Sequence, residues 1–349
     1  MSLKKYWWIF ILGAPAFAGL LVSLVIYYKI ALWSYSGPTK TFEIKPGERF
    51  SRINARLDKG NFISSAKLFH RYSWVKGYMT KFKAGLFEIK NGSNMITVTN
   101  DLVFGKTITN SVTVPEGKNL FEIAAILKDA DIIQNKNEFI RLAKSSSFAK
   151  KLGVPGERLE GYLYPDTYML TPKSNEKVVL QAMVRSFRNQ VKSLSFSNAP
   201  LGLSKHDVIT LASIVEKETG ASFERPIIAG VFINRLKKRM RLQSDPTTIY
   251  GIYENYNGNL RKKHLLAMTP YNTYKIPALP AGPISNPGLE SIKAVLNPKK
   301  HNYLYFVSQN DGTHVFTENY RLHREAVNRF QKNSAARRGK SWRDLKKSK

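Results

Sequence analysis

The chain has 349 residues and carries 55 Lys and Arg against 25 Asp and Glu, a formal net charge of +30. An excess of that size attracts polyanions: nucleic acid, anionic lipid or an acidic wall polymer. The 43% hydrophobic content supports a membrane anchor plus one large or two modest folded parts, and the absence of cysteine excludes disulfides and thiolate chemistry.

After Lys4 and Lys5, the segment Tyr6–Tyr28 runs 23 residues without a charge. Crossing a bilayer core takes about 20 apolar residues. Trp7 and Trp8 at one end, and Tyr27, Tyr28 and Trp33 at the other, have the placement of interfacial aromatic belts. Ala14-Pro15-Ala16 and Ala16-Phe17-Ala18 imitate signal-peptide cleavage sites, but the apolar run continues well beyond them, which favours an uncleaved anchor over residues 6–33. Lys4 and Lys5 predict a cytoplasmic stub of residues 1–5, with the rest of the chain outside. Nucleic acid is therefore not an expected partner. The basic runs at Lys237–Arg241 and Arg261–Lys263, and the tail at 332–349, read as solvated or wall-facing surface.

Residues 34–40 read as a polar linker around Gly37-Pro38, and an internal repeat follows. Phe42–Ile63 aligns with Val112–Ile133 at an offset of 70, pairing Gly47 with Gly117, Phe50 with Leu120, Ile53 with Ile123, Leu57 with Leu127 and Ile63 with Ile133. Phe87–Leu102 is a weaker copy through Gly92, Met95, Val98 and Leu102. Each copy predicts a strand, a glycine turn and an amphipathic helix. The pattern resembles LysM-type glycan-binding modules, and a generic strand–helix packing unit explains it equally well. The copies within 41–108 are expected to form one small subdomain.

From Asn135 the chain becomes mainly helical. One helix is expected over Asn135–Gly153 and another from Ser174, with the aromatic Leu159–Leu170 between them as loop and short strand. A helix over Ser204–Gly220 is capped by Ser204, carries Asp207 in its first turn and can end at Gly220. A further helix follows over Ser222–Met240. Tyr303–Ser308 and Thr313–Thr317 predict a hairpin around Asn310-Asp311-Gly312. The fold class is thus α+β: an apolar N-terminal helix, strand–helix modules, and a mainly helical part over 109–331 with a small hairpin.

Several chemistries are missing from the sequence: no G-x-x-x-x-G-K-[ST], no H-E-x-x-H, no G-x-S-x-G, and no histidine pair at metal-ligand spacing. No cofactor or metal is expected. His314 reads as a packed strand histidine. What remains is carboxyl chemistry beside aromatic and amide-rich loops, which suits carbohydrate. Cleaving a glycosidic bond needs a protonated carboxyl group, hence a raised pKa and partial burial. Glu216 and Glu218 compete for that role at the end of the 204–220 helix. Two positions apart, they cannot face one site. Glu218 lies on one edge of the stripe Val208, Leu211, Ala212, Val215 and Thr219, and Glu216 on the other. The helix exit slightly favours Glu218. Taken alone, either glutamate reads more simply as a partly solvated surface carboxylate or a partner of Arg225 or Arg235.

Six motifs occur in order: EGYLYPDTY (Glu160–Tyr168), ASIVEKET (Ala212–Thr219), VFINRL (Val231–Leu236), MRLQSDPTTIYG (Met240–Gly251), YNTY (Tyr271–Tyr274) and NPG (Asn286–Gly288). Behind an N-terminal anchor and LysM-like modules, they resemble the MltG-type, YceG-like endolytic murein transglycosylases over Phe42 to about Gln331. One departure is Leu279-Pro280-Ala281-Gly282, where the family commonly has L-P-P-G. The resemblance implies that Glu218 is the catalytic acid and base. It also implies that Glu160, Tyr164, Asp166, Gln243, Ser244, Asp245, Thr247, Tyr271 and Asn272 line the cleft. Asp166 and Asp245 each neighbour a proline and serve equally as turn or cap residues. The implied substrate is the MurNAc–GlcNAc bond of peptidoglycan, cut to 1,6-anhydro ends, with the cytoplasmic membrane and peptidoglycan synthases as the implied partners. A membrane-anchored glycan-binding scaffold and a water-using murein hydrolase are the alternatives.

Overall fold

A computed structural model describes residues 7–333. The stub with Lys4 and Lys5 and nearly all of the basic tail lie outside the described residues. The chain divides into two compact units with the boundary between Asn110 and Ser111.

In the first unit, α1 (Trp7–Tyr27) runs into a π-helical turn at Tyr28–Leu32. The stretch Gly13–Leu32 has a mean hydropathy of 1.8, and none of it is buried by protein, so it is long and apolar enough to cross a membrane. Residues 34–40, expected as a linker, instead pack against the unit. Tyr35 is buried, its N–H donates to Ser93 O (2.8 Å) and its C=O accepts from Gly92 N (2.8 Å). The cause is its ring, which lies 5.1 Å from Phe62 and belongs to the core. Just before it, Asn94 Nδ2 donates to Ala31 O (2.8 Å) and Ser64 Oγ to Lys29 O (2.6 Å), satisfying carbonyls that a helix end leaves open.

Next come β1 (Lys40–Ile44), α2 (Phe50–Lys59), α3 (Ala66–Val75), β2 (Gly85–Ile89) and α4 (Met95–Val103). β1 and β2 are antiparallel with Phe42 opposite Phe87. Alternation turns Phe42, Ile44, Phe87 and Ile89 inward, into a core with Ile53, Leu57, Phe69, Met95, Val98 and Leu102.

The second unit starts inside β3 (Asn110–Thr113), which leads to α5 (Leu120–Asp129), so all three repeat copies take one shape. The shared glycines Gly47, Gly92 and Gly117 have φ of +74°, +81° and +73°, a conformation that side chains resist, which is why the repeat keeps glycine there. The single helix expected over Asn135–Gly153 is two, α6 (Lys136–Ala143) and α7 (Ser146–Lys151). Ser145 Oγ accepts from Phe148 N (3.3 Å), and this capping bond starts a new helix where the old one would have continued. β4 (Thr167–Leu170) pairs with β3. α8 (Glu176–Gln190) is capped by Asn175 rather than Ser174.

α9 (Lys205–Glu218) opens with a capping box between Ser204 and Asp207. Val208 to Val215 are all buried, so this helix is the centre of the unit rather than a two-faced surface element. It packs against α10 (Arg225–Lys237) and, further along, α13 (Leu289–Leu296). The helix expected from Ser222 opens as a 3₁₀ turn, Ser222–Glu224, before α10. α11 (Asp245–Gly251) and the single turn α12 (Lys262–Leu265) lie between α10 and α13. β5 (Tyr305–Ser308) and β6 (His314–Thr317) form the expected antiparallel hairpin, followed by α14 (Tyr320–Val327).

Candidate active site

Gly220 does not end α9. Glu218 is the last helical residue and Thr219 is extended (φ −140°, ψ 140°). The chain leaves the helix because Thr219 Oγ1 accepts from Ala221 N (2.9 Å) and donates to Glu224 Oε2 (3.1 Å). Glu224 is itself buried, accepting from His314 N (2.8 Å) and pairing with His314 Nδ1 (2.7 Å). His314 is thus a packed strand histidine that holds the helix exit to the hairpin.

At that exit, protein surrounds the Glu218 carboxyl while the residue keeps a partly exposed edge. Ser244 Oγ donates to its Oε1 (2.5 Å), and among the described residues no protein donor engages Oε2. Burial lifts its pKa from the usual carboxyl range to about 7, against the pull of the Ser244 hydroxyl; the Asp245 charge adds to the rise and the Arg235 charge opposes it. Arg235 is buried on α10. Its guanidinium donates to Leu304 O (2.6 Å), Leu242 O (2.8 Å) and Arg241 O (3.3 Å), and lies over the Tyr305 ring at 5.2 Å. It is a fixed cation bound by backbone carbonyls.

Ser244 precedes α11, where its hydroxyl would ordinarily cap the helix, yet it makes no such cap and turns to Glu218. Gln243 before it has φ of +51°, and its N–H donates to Thr273 O (3.2 Å). Ser244 N donates to Thr273 Oγ1 (3.0 Å), and Thr247 Oγ1 shares a hydrogen bond with Thr273 Oγ1 (2.8 Å). Tyr274 OH holds Asp245 Oδ1 (2.7 Å). Thr247 and Asn272 are fully buried. Asn272 Oδ1 accepts from Thr248 Oγ1 (2.9 Å), while its amide donates to Ala267 O (2.7 Å) and Leu265 O (3.0 Å), bracing the loop that carries Thr273.

Glu160 heads a second node. It is buried, and its carboxyl accepts from Leu120 N (3.0 and 3.1 Å), Tyr250 OH (2.8 Å) and Asn286 Nδ2 (2.7 Å). Burial outweighs those three donors and lifts its pKa to about 7. Tyr271 lies edge-on to Tyr250 at 4.8 Å. Beside this pair is a hollow of about 270 Å³, lined among others by Phe121, Lys144, Arg158, Tyr250, Tyr253 and Tyr271. A larger hollow of about 640 Å³, between α5, α6 and the turn at Tyr253–Glu254, does not include Glu218.

Tyr164 is buried with its C=O accepting from Tyr168 OH (2.5 Å). Asp166 is exposed; its carboxylate accepts from Thr167 N (2.8 Å) and Ser186 Oγ (3.2 Å), as a turn residue does. Glu216 is occupied: it pairs with Arg225 (3.1 Å) and accepts from Gly288 N (3.0 Å) and Ser291 Oγ (2.7 Å), fastening α9 to the start of α13. The residues gathered around Glu218 are therefore Ser244, Asp245, Arg235 and Tyr274, with Gln243, Thr247 and Asn272 as the scaffold beneath. Arg235, Thr273, Tyr274 and Asn286 were not singled out as site residues, although each lies inside a quoted motif.

A buried helix that ends on one largely unengaged carboxyl, with its pKa raised to about 7 and a fixed cation nearby, is an arrangement suited to acid–base chemistry. The model of the YceG-like family matches residues 42–329. An endolytic murein transglycosylase of Bacillus subtilis is 33% identical over 84% of this chain and 86% of its own. One of the same name from Streptococcus pneumoniae is 28% identical over 77% of this chain and 54% of its own, so the chain spans about half of that relative. The crystal structure of a YceG-like protein of Listeria monocytogenes is 30% identical, with a TM-score of 0.54 over 83% of this chain and 100% of that one. The chain belongs to the YceG-like family.

Proposed function

We propose that the protein is a membrane-anchored lytic transglycosylase that cuts the MurNAc–GlcNAc bond of peptidoglycan within its strands. The observation that carries this reading is the Glu218 carboxyl: pKa raised to about 7, one oxygen held by Ser244, the other without a protein donor among the described residues. Family membership and the names of the relatives support the substrate. Glu218, protonated, donates to the oxygen linking the two sugars as the muramyl C1–O bond breaks, and the proton leaves on the GlcNAc hydroxyl. The muramyl N-acetyl group stabilises the positive carbon. The ionised Glu218 then takes the proton of the muramyl 6-hydroxyl as O6 bonds C1. No water is consumed, the acid is regenerated, and the product is a 1,6-anhydro end. Because the nucleophile belongs to the same sugar, one carboxyl serves both steps.

In this reading α1 spans the inner membrane once with the N-terminus in the cytoplasm. The units beyond it lie in the periplasm or otherwise outside the membrane, where the first binds glycan as a LysM-like module (41–108) and the rest (109–331) catalyses. Peptidoglycan synthases, which make the strands being cut, are the protein partners it implies. The test is digestion of purified sacculi by the full chain, with mass spectrometry of the sugar ends. Anhydro-muramyl ends, lighter by one water than hydrolysed ends, support the reading.

A second reading, a water-using hydrolase, is favoured by one feature: the charge of Asp245 bears on Glu218, so a second carboxylate is at hand. Reducing muramyl ends as the main product decide for it.

A further inference from the structure

The first unit carries an exposed apolar and basic patch that the proposed catalysis does not use. Trp74 and Val75, at the end of α3, are 68% and 73% exposed, and Phe104 is 58% exposed. Tyr78 joins Phe104 edge-on at 5.3 Å. Lys81 Nζ lies over the Tyr78 ring at 5.8 Å, and Lys83 Nζ donates to Phe104 O (3.2 Å), so cations border the rings. Lys76 follows Val75 directly, and the 66–106 segment holds Lys67, Arg71, Lys76, Lys81, Lys83, Lys90 and Lys106 against Glu88 and Asp101 alone. A Trp and an aliphatic side chain in water within a rim of lysines is the composition of a surface that inserts shallowly between anionic headgroups.

The position of the patch strengthens the argument. The unit is not on a free tether. The π-helical turn that ends the apolar helix is bonded to it through Ser64 and Asn94, and Tyr35 is buried in its core within three residues of Leu32. Ser64 directly precedes Ser65, the N-cap of α3, and α3 is 10 residues long. At about 1.5 Å per residue, α3 is about 15 Å long, so Trp74 lies one short helix away from the Ser64 contact with Lys29. A folded unit fastened so closely must turn one face to the headgroups.

We infer that the Trp74–Val75–Phe104 patch with Lys76, Lys81 and Lys83 is a membrane-contact face that rests the first unit on anionic lipid. This rests on the reading of α1 as a membrane span.

The chain has no cysteine, so single cysteines can be labelled with an environment-sensitive fluorophore in the full-length protein. Val75→Cys tests the patch, and Leu21→Cys, inside the apolar helix, tests the anchor. Both are reconstituted in vesicles of phosphatidylglycerol or phosphatidylcholine that carry quenchers at shallow or deep acyl positions. Expected are deep quenching at residue 21 in both lipids, and shallow quenching at residue 75 that is strong in phosphatidylglycerol and weaker in phosphatidylcholine. Lys76→Glu with Lys81→Glu should lower the quenching at residue 75, since each cation near an anionic surface strengthens binding about fivefold. An unquenched label at residue 75 with residue 21 quenched overturns the membrane face and leaves the anchor standing. Failure of quenching at residue 21 overturns the anchor itself. If residue 75 ignores lipid and responds to added glycan strands, the patch is a sugar-binding face and the inference fails.

Discussion

Glu160 and Glu218 lie in the same unit, and burial lifts both pKa values to about 7. They differ in what occupies their oxygens. Glu160 accepts from a backbone N–H, a tyrosine hydroxyl and an asparagine amide, and so joins α5, α11 and the 286 loop. Glu218 accepts from one hydroxyl, and among the described residues its other oxygen has no protein donor. A raised pKa alone therefore does not identify a catalyst, because burial produces it at structural and chemical sites alike. The number of donors already engaged separates the two, since a carboxyl whose lone pairs are taken cannot deliver a proton to a substrate.

That contrast can be broken most directly at Glu218. Glu218→Gln keeps the size and removes the proton, so turnover of sacculi should fall by about 10²–10⁴-fold or more. Stability should hold. A carboxyl whose folded pKa is raised above its unfolded value contributes stability that is complete below about pH 4.5 and lost as pH rises through about 7. The glutamine does not titrate, so at pH 8 the variant should melt at or above the temperature of the parent, as calorimetry would show. Glu160→Gln should do the reverse. Its amide NH₂ faces donors, and a loss of about 1–3 kcal/mol is expected. Activity per folded molecule should survive; collapsed turnover at an unchanged melting temperature would erase the distinction between the two sites.

Two smaller effects sharpen it. Glu216→Gln weakens the tie to Arg225 and to the start of α13, at a cost of about 1–2 kcal/mol in denaturant unfolding, with cutting retained. An inactive variant of unchanged stability would instead move the acid to the other edge of α9. Ser244→Ala removes the one donor that lowers the Glu218 pKa. The alkaline limb of kcat/KM should move to higher pH, and a limb that stays in place would mean the hydroxyl does not bond the carboxyl during turnover.

Local features were legible in the sequence. The repeat glycines require left-handed backbone, Ser204 and Asp207 form a capping box, and Asn310-Asp311-Gly312 turns a hairpin, each within a few residues. The Ser145 break in the 135–153 helix was harder, because a serine run supports a helix or starts one with similar ease. What was not legible is who meets whom at long range. Glu160 is saturated by partners 40, 90 and 126 positions away. Helical periodicity left Glu216 and Glu218 nearly equal, and only the arrival of Arg225, Gly288 and Ser291 at one, and of Ser244 at the other, distinguishes them. The 34–40 segment reads as polar linker because nothing local signals that the Tyr35 ring has a pocket waiting.

Asn286 has a consequence for the order of assembly. Its N–H and side-chain amide donate to Lys118 O, 168 positions earlier, its C=O accepts from Gly117 N, and the same amide reaches Glu160. The loop at 117–118 is thus closed by a segment 168 positions later in the unit. A chain that emerges N-terminus first has α9 and its terminal glutamate early, but the floor under Tyr250 stays open until residue 286 arrives. Closing so long a loop is slow and comes late in folding. In the proposed mechanism an unfinished chain therefore carries the acid before the Glu160 node is closed, and wall cutting waits for residue 286.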